Sequence, residues 1–204
     1  GVDWEAELAD LRGLGLDGSS TLVDLGAGTG GLALAAAPVC RRVVAVVVSP
    51  AMIKVLRDRA AQAGLGNLEC VHAGLLSYEH TGEPADFVYS RHALHHLPDF
   101  WKAIALARMA AILRPGGVLR LRDLIFSCAL GETGSTIEAW LGGASTQPGI
   151  GWSRAELATH LRDEYSTFSW LLAPMLEHAG FVIQRAEYSD SRIFADYACV
   201  KATT

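Results

Sequence analysis

The chain has 204 residues, half of them apolar, with 17 Lys and Arg against 22 Asp and Glu for a formal net charge of −5. That length suits one full-sized domain and buries enough surface to need neither disulfides nor a structural metal. An isoelectric point of about 5.8 without any run of like charge argues against an electrostatic nucleic-acid binder, and the longest strongly apolar run, Val43 to Val48, is far short of the ~20 residues of a membrane span. The start, Gly1-Val2-Asp3-Trp4-Glu5, lacks the basic and apolar regions of a secretory signal. Cysteines at 40, 70, 128 and 199 form no CxxC pair. The expectation is a cytoplasmic protein without membrane or nucleic-acid partners, whose cysteines are small buried hydrophobes.

In chain order, residues 3 to 14 read as a short amphipathic helix, and Thr21 to Leu25 as a compact apolar strand. A glycine-rich turn follows, then an Ala/Leu helix that halts at Pro38. Val43 to Val48 lacks polar alternation, as expected of a parallel strand covered on both faces. Ser49-Pro50 supplies an N-cap and a first-turn proline for a helix that Gly64 ends. Further strands are expected near Leu68 to His72 and Asp86 to Ser90, then a helix from about Pro98 to Leu113. After Arg114-Pro115-Gly116-Gly117, Val118 to Phe126 is the fifth strand. Strands separated by helices imply right-handed crossovers and an α/β, doubly wound, mostly parallel sheet. The alternation breaks between Ser127 and Gly151, with one short helical piece around Ile137 to Leu141. Ser153 and Glu156 form a capping box for a helix to about Glu164. A helix from about Phe168 to Ala179 and strands near Phe181 to Tyr188 and Ile193 to Val200 complete a single domain with a helical and loop insertion at about 127–175.

Val23-Asp24-Leu25-Gly26-Ala27-Gly28-Thr29-Gly30-Gly31 falls where an open α/β sheet binds ligands, beyond the carboxyl end of the first strand. Glycines there permit a tight turn, close approach to bare backbone, and access to the N–H groups of the next helix. Gly26, Gly28 and Gly31 also satisfy GxGxxG, so a nicotinamide dinucleotide is a competing ligand. Asp24 opposes it: a carboxylate two residues before the first glycine repels a pyrophosphate and suits an ammonium and a sulfonium.

On these residues the chain resembles the class I S-adenosylmethionine-dependent methyltransferases. The likeness extends through Val46-Val47-Val48-Ser49-Pro50-Ala51-Met52, Asp86-Phe87-Val88-Tyr89-Ser90, Ala93-Leu94-His95-His96-Leu97-Pro98-Asp99 and Leu113-Arg114-Pro115-Gly116-Gly117. The resemblance implies a seven-stranded sheet of Rossmann-like type whose last strand is antiparallel. It also implies S-adenosylmethionine as cofactor, S-adenosylhomocysteine as product and a small-molecule substrate. Asp24, Gly26, Ala27, Gly28 and Gly30 would cradle the methionine part, Val47, Val48, Ser49 and Met52 would flank the ribose and adenine, Gly74 and Leu75 the adenine edge, and Ser90 and His92 the methionyl group. One departure stands out. The family places an Asp or Glu against the ribose hydroxyls where this chain has Val47. Hydrogen bonds to a charged group contribute roughly 1.5 to 3 kcal/mol, so the change weakens cofactor binding about 10-fold to 100-fold.

Methyl transfer from a sulfonium is an in-line displacement that needs alignment, needs no metal, and needs a base only for a protonated nucleophile. His92, His95 and His96 are the candidate bases. Arg120, Arg122 and Asp123 put charge on an interior strand, where they serve either a substrate or a structural ion pair. Trp140, Trp152, Tyr165, Phe168 and Trp170 form either an aromatic lid or core. The leading expectation is a methyltransferase acting on an O, N or C nucleophile. The alternative is a protein of the same fold with weak or lost cofactor binding, serving as a binding module or running other chemistry in the pocket.

Overall fold

The computed structural model describes residues 2–147 and 151–203; residues 148–150 of the expected insertion lie outside it. Helix α1 (Trp4–Gly13) starts where Asp3 accepts a hydrogen bond from the Ala6 N–H at 3.0 Å. Strand β1 (Thr21–Leu25) is buried along its whole length. A short α2 (Gly31–Ala36) and β2 (Arg42–Val47) follow. Helix α3 (Pro50–Gln62) is capped by Ser49. Next come β3 (Leu68–His72), β4 (Ala85–Arg91), α4 (Asp99–Ile112) and β5 (Leu113–Phe126). The insertion contributes α5 (Thr133–Gly142) and α6 (Arg154–Asp163), the latter opened by the Ser153–Glu156 capping box. Strand β6 (Thr167–Phe168), α7 (Ser169–His178), β7 (Phe181–Tyr188) and β8 (Phe194–Lys201) close the chain.

The main sheet runs β3-β2-β1-β4-β5-β8-β7, with β6 attached to the end of β5. Strands β1 to β5 are parallel to their neighbours, and β8 is antiparallel to both β5 and β7. The expected seven-stranded, mostly parallel sheet with an antiparallel last strand is therefore present. The valine run explains the two-sided core. Val43, Ala45 and Val47 pack with Leu11, Leu32 and Leu56 from α1, α2 and α3, while Val44 and Val46 belong to the opposite layer with Leu106 of α4 and Leu172 of α7. Because β1 pairs with β2 on one side and β4 on the other, the chain crosses over in opposite directions at β1, which opens a crevice at the carboxyl ends of these strands.

Three features differ from the sequence expectation. Strand β5 begins at Leu113, because Leu113 still pairs with Ala85 before a bulge carries Arg114–Gly117 out of register. A Cβ on Gly117 would meet the Arg114 carbonyl oxygen at 2.9 Å and that of Asp86 at 3.1 Å. Helix α5 is twice the length expected, and β6 is too short for any periodicity to show.

Charge on β5 separates by face. Arg120 is buried and reaches Asp10 of α1 at 2.7 Å, and Asp10 also holds Arg185 of β7 at 2.6 Å. Arg122 stands 3.4 Å from Asp196 and 3.7 Å from Glu7, and Glu7 pairs with Arg91 at 2.6 Å. These pairs fasten α1 across the sheet. Burial pushes Cys40 up to about 11 and Cys199 up to about 12, so both thiols stay protonated. No helix among the described residues is long and apolar enough to cross a membrane.

Candidate active site

The bend after β1 is tied to β2: Gly26 N–H and Ala27 N–H both donate to the Val46 carbonyl, at 2.9 and 3.1 Å. Gly26 has φ +85°, and a Cβ there would lie 2.6 Å from the Ala93 methyl carbon, so the β4–α4 loop closes directly onto bare backbone. A Cβ on Gly31 would run into the Trp4 indole at 2.2 Å. Asp24 is buried, and burial pushes its carboxyl up to about 7 against the lowering effect of the Ala33 N–H that bonds to it.

Two cavities flank this bend. One, of about 430 Å³, is lined on one side by Gly26, Gly28 and Val46 to Ser49 with Met52, and on the other by Ala73 to Ser77, His92 and His96. It thus brings together Val47, Val48, Ser49, Met52, Gly74 and Leu75. The other, of about 290 Å³, is bounded by Trp4, Asp24, Ala27, Gly28, Arg91 and His92. Gly30 and Ser90 line neither. Gly30, at φ +85°, opens α2 against Leu56, and Ser90 is fully buried with its Oγ donating to the Leu25 carbonyl at 2.9 Å. Val47 is only 2% exposed and packs into the core, and the polar side chains of the larger cavity are Ser49, Ser77, His92 and His96. No carboxylate faces it among the described residues.

A third cavity, of about 230 Å³, lies under the insertion, among His92, His95, His96, His160, Glu164, Trp140, Trp152 and Phe194. His92 lines all three cavities. Its backbone sits at φ +50°, its N–H donates to the Arg122 carbonyl at 2.9 Å, and its ring stacks on Phe194 with centroids 5.6 Å apart. Burial, aided by the Arg91 charge, pushes His92 down to about 4, so the ring is neutral at physiological pH. Behind it, the buried Asp123 carboxylate accepts from the Ala93, Leu94 and Leu124 N–H groups at 3.2, 2.7 and 2.7 Å and from His95 Nδ1. Burial alone would raise Asp123, but the His95 contact and these N–H donors hold it below the ordinary carboxylate value. Burial lowers His96 and His160.

The sequence singled out three of the four histidines here. It missed His160 and Glu164, whose i,i+4 spacing at the end of α6 was the available signal. It also missed Trp4, Arg91 and Phe194 as cavity walls. Of the aromatic candidates, Trp140 and Trp152 line the third cavity, while Phe168 packs on Phe126 and Trp170.

A family model described as a methyltransferase domain matches residues 22–117, from β1 to the start of β5. An uncharacterized methyltransferase of Geobacillus kaustophilus is 28% identical over 160 residues, covering 78% of this chain and 68% of the relative. Over that span the chain is similar to methyltransferases. Among solved structures, a putative methyltransferase from Bacillus halodurans superposes with a TM-score of 0.72 at 19% identity, covering 97% of this chain and 100% of the other. Magnesium protoporphyrin IX methyltransferase from Synechocystis with bound S-adenosylhomocysteine superposes with a TM-score of 0.69 at 19% identity, covering 98% and 82%. These likenesses establish the methyltransferase fold.

The two glycines of the bend separate backbone strain from close approach. Gly26→Ala and Gly28→Ala both place a side chain at positive φ, which costs about 1–2 kcal/mol, but only Gly26→Ala drives a methyl into Ala93. Urea denaturation should show the larger loss for Gly26→Ala.

Proposed function

We propose that the chain is an S-adenosylmethionine-dependent methyltransferase that acts on an O, N or C nucleophile of a small molecule and leaves S-adenosylhomocysteine. The observation that carries this reading is the arrangement of three cavities around His92: two beside the glycine bend sized and lined for a nucleoside with an amino-acid tail, and a third beneath the insertion for the acceptor.

The fit to the cofactor is good at one end and poor in the middle. Asp24 sits against the cavity of Trp4 and Arg91, where a carboxylate pairs with an ammonium and the Arg91 guanidinium with a carboxylate. Met52, Gly74 and Leu75 offer an apolar slot for a purine. The ribose lacks an acid, since Val47 is packed inside the core. When bound, the cofactor supplies a methyl group on a positively charged sulfur. The chain's own part is to hold the acceptor between Trp140, Trp152 and Phe194, with its nucleophile toward His92. A neutral His92 accepts a hydrogen bond, and then the proton, from that nucleophile without placing a cation beside the sulfonium before reaction. His95 and His96, the other expected bases, stand farther along the loop and line the acceptor cavity.

Calorimetric titration with S-adenosylhomocysteine tests the reading directly, and no heat at millimolar ligand would end it. The titration should also depend on pH. Asp24 is protonated in the free protein below about 7, and the ligand ammonium favours its ionised form. Binding therefore releases a proton below that pH, and affinity should fall by up to about tenfold per unit as pH drops under 7.

Val47→Asp restores an acceptor for the ribose hydroxyls and should tighten S-adenosylhomocysteine binding by about 10-fold to 100-fold. Tighter binding with no methyl transfer to any of a broad acceptor panel would favour the non-catalytic alternative. For an acceptor that is methylated, His92→Ala should lower kcat by about 100-fold or more while leaving the fold unchanged by circular dichroism.

A further inference from the structure

The acceptor cavity contains an arrangement that hydrogen bonding does not account for. Glu164 Oε2 is buried and lies 2.9 Å from His95 Nε2, 3.3 Å from His96 Nδ1 and 3.1 Å from His160 Nδ1, yet it meets none of them in hydrogen-bond geometry. His95 Nδ1 bonds to Asp123, so Nε2 is the ring nitrogen that faces the Glu164 carboxylate oxygen. A buried carboxylate oxygen with no hydrogen bond to any of the ring nitrogens around it is tolerable only where positive charge stands among them. Ligand atoms gathered this closely without hydrogen bonds between them are what a cation site requires.

We infer that His95, His96 and Glu164 form a binding site for a divalent transition-metal ion, with zinc and ferrous iron the best matches. Their ligand atoms lie within 4.8 Å of one another, and the 2.9 and 3.3 Å distances from Glu164 Oε2 to His95 Nε2 and His96 Nδ1 lie at or slightly under the ~3.3 Å edge of a tetrahedron built on metal–ligand bonds of about 2.0–2.1 Å. Two imidazoles and one carboxylate suit Zn²⁺ and Fe²⁺, and three protein ligands leave a coordination position free. The surrounding shell is in place. Asp123 orients His95 and increases the basicity of its free nitrogen. His160 is a positioning residue, with Nε2 on Ser166 Oγ at 2.8 Å and Nδ1 beside the Glu164 carboxylate. The carboxylates of Asp123 and Glu164 together balance a dication. The free position opens on the cavity of Trp140, Trp152 and Phe194. On the methyl-transfer reading, on which only this role rests, the ion would take an oxygen of the acceptor.

Titration of the metal-free chain with Co²⁺, followed by its visible d–d absorption, and competition by Zn²⁺ test the site. One ion per chain should bind with a dissociation constant of about 1 μM or below. Glu164→Gln and His96→Ala should each weaken binding by more than about 100-fold, the upper end of what losing an outer partner costs, while His178→Ala, outside the cavity, should bind as the parent does. Binding weaker than millimolar, or unchanged in both ligand variants, overturns the inference. If both variants fail to fold, X-ray absorption of the zinc-loaded parent decides: a nitrogen and oxygen shell containing two imidazoles upholds the site, and any other shell refutes it. S-adenosylhomocysteine calorimetry on the same samples keeps the outcome separate from the cofactor reading, since that ligand can bind with the metal site empty, and the reverse.

Discussion

The buried carboxylate of Asp123 is the fixed point from which the candidate site is built. It gathers three backbone N–H donors and one imidazole, from its own strand and from the loop after β4. A carboxylate in an apolar interior is tolerable only when its lone pairs are occupied in this way. The loop must therefore follow the strand. With residues 93 to 95 pinned, Ala93 comes down on the bare backbone of Gly26. His92, one residue earlier, is held at positive φ between the cavities. One buried charge thus sets the distance between the glycine bend and the histidines.

Much of this was legible in the sequence, for physical reasons that can be named. The run from Val43 to Val47 is buried on both faces, and a central parallel strand is the arrangement that covers both. The bend at Gly26 to Gly30 was visible because only glycine fits where side chains would collide or φ must be positive. The histidine cluster was half visible. His95 and His96 are adjacent in the chain, but His160 and Glu164 arrive from a helix more than sixty residues away. Their meeting depends on how the insertion folds back over β5, which no local pattern encodes. Asp123 was noticed as a charge on an interior strand. Its partners remained hidden because strand alternation sends Arg122 and Asp123 to opposite faces, one to α1 and the other to the loop.

The electrostatics of the free protein share a theme. Asp24 and His92, which flank the proposed position of a charged ligand, are both driven by burial toward their neutral forms. On the proposed function, a pocket that receives a sulfonium and an ammonium is thereby kept from being filled in advance by charges of its own that water or counterions would neutralise. Val47, an apolar side chain at 2% exposure, likewise adds no charge to the wall of the larger cavity.

Helix α1 brings a different consequence. Trp4 walls one cavity, yet the helix that carries it is fastened by Asp10 to Arg120 and Arg185, which lie 110 and 175 residues further on. The ion pairs that hold this helix reach strands β4, β5 and β7, at Arg91, Arg120 and Arg185, so its seat forms only when segments distant in sequence have come together. The cavity wall formed by Trp4 thus depends on Arg120 and Arg185, two side chains that do not line the cavity themselves.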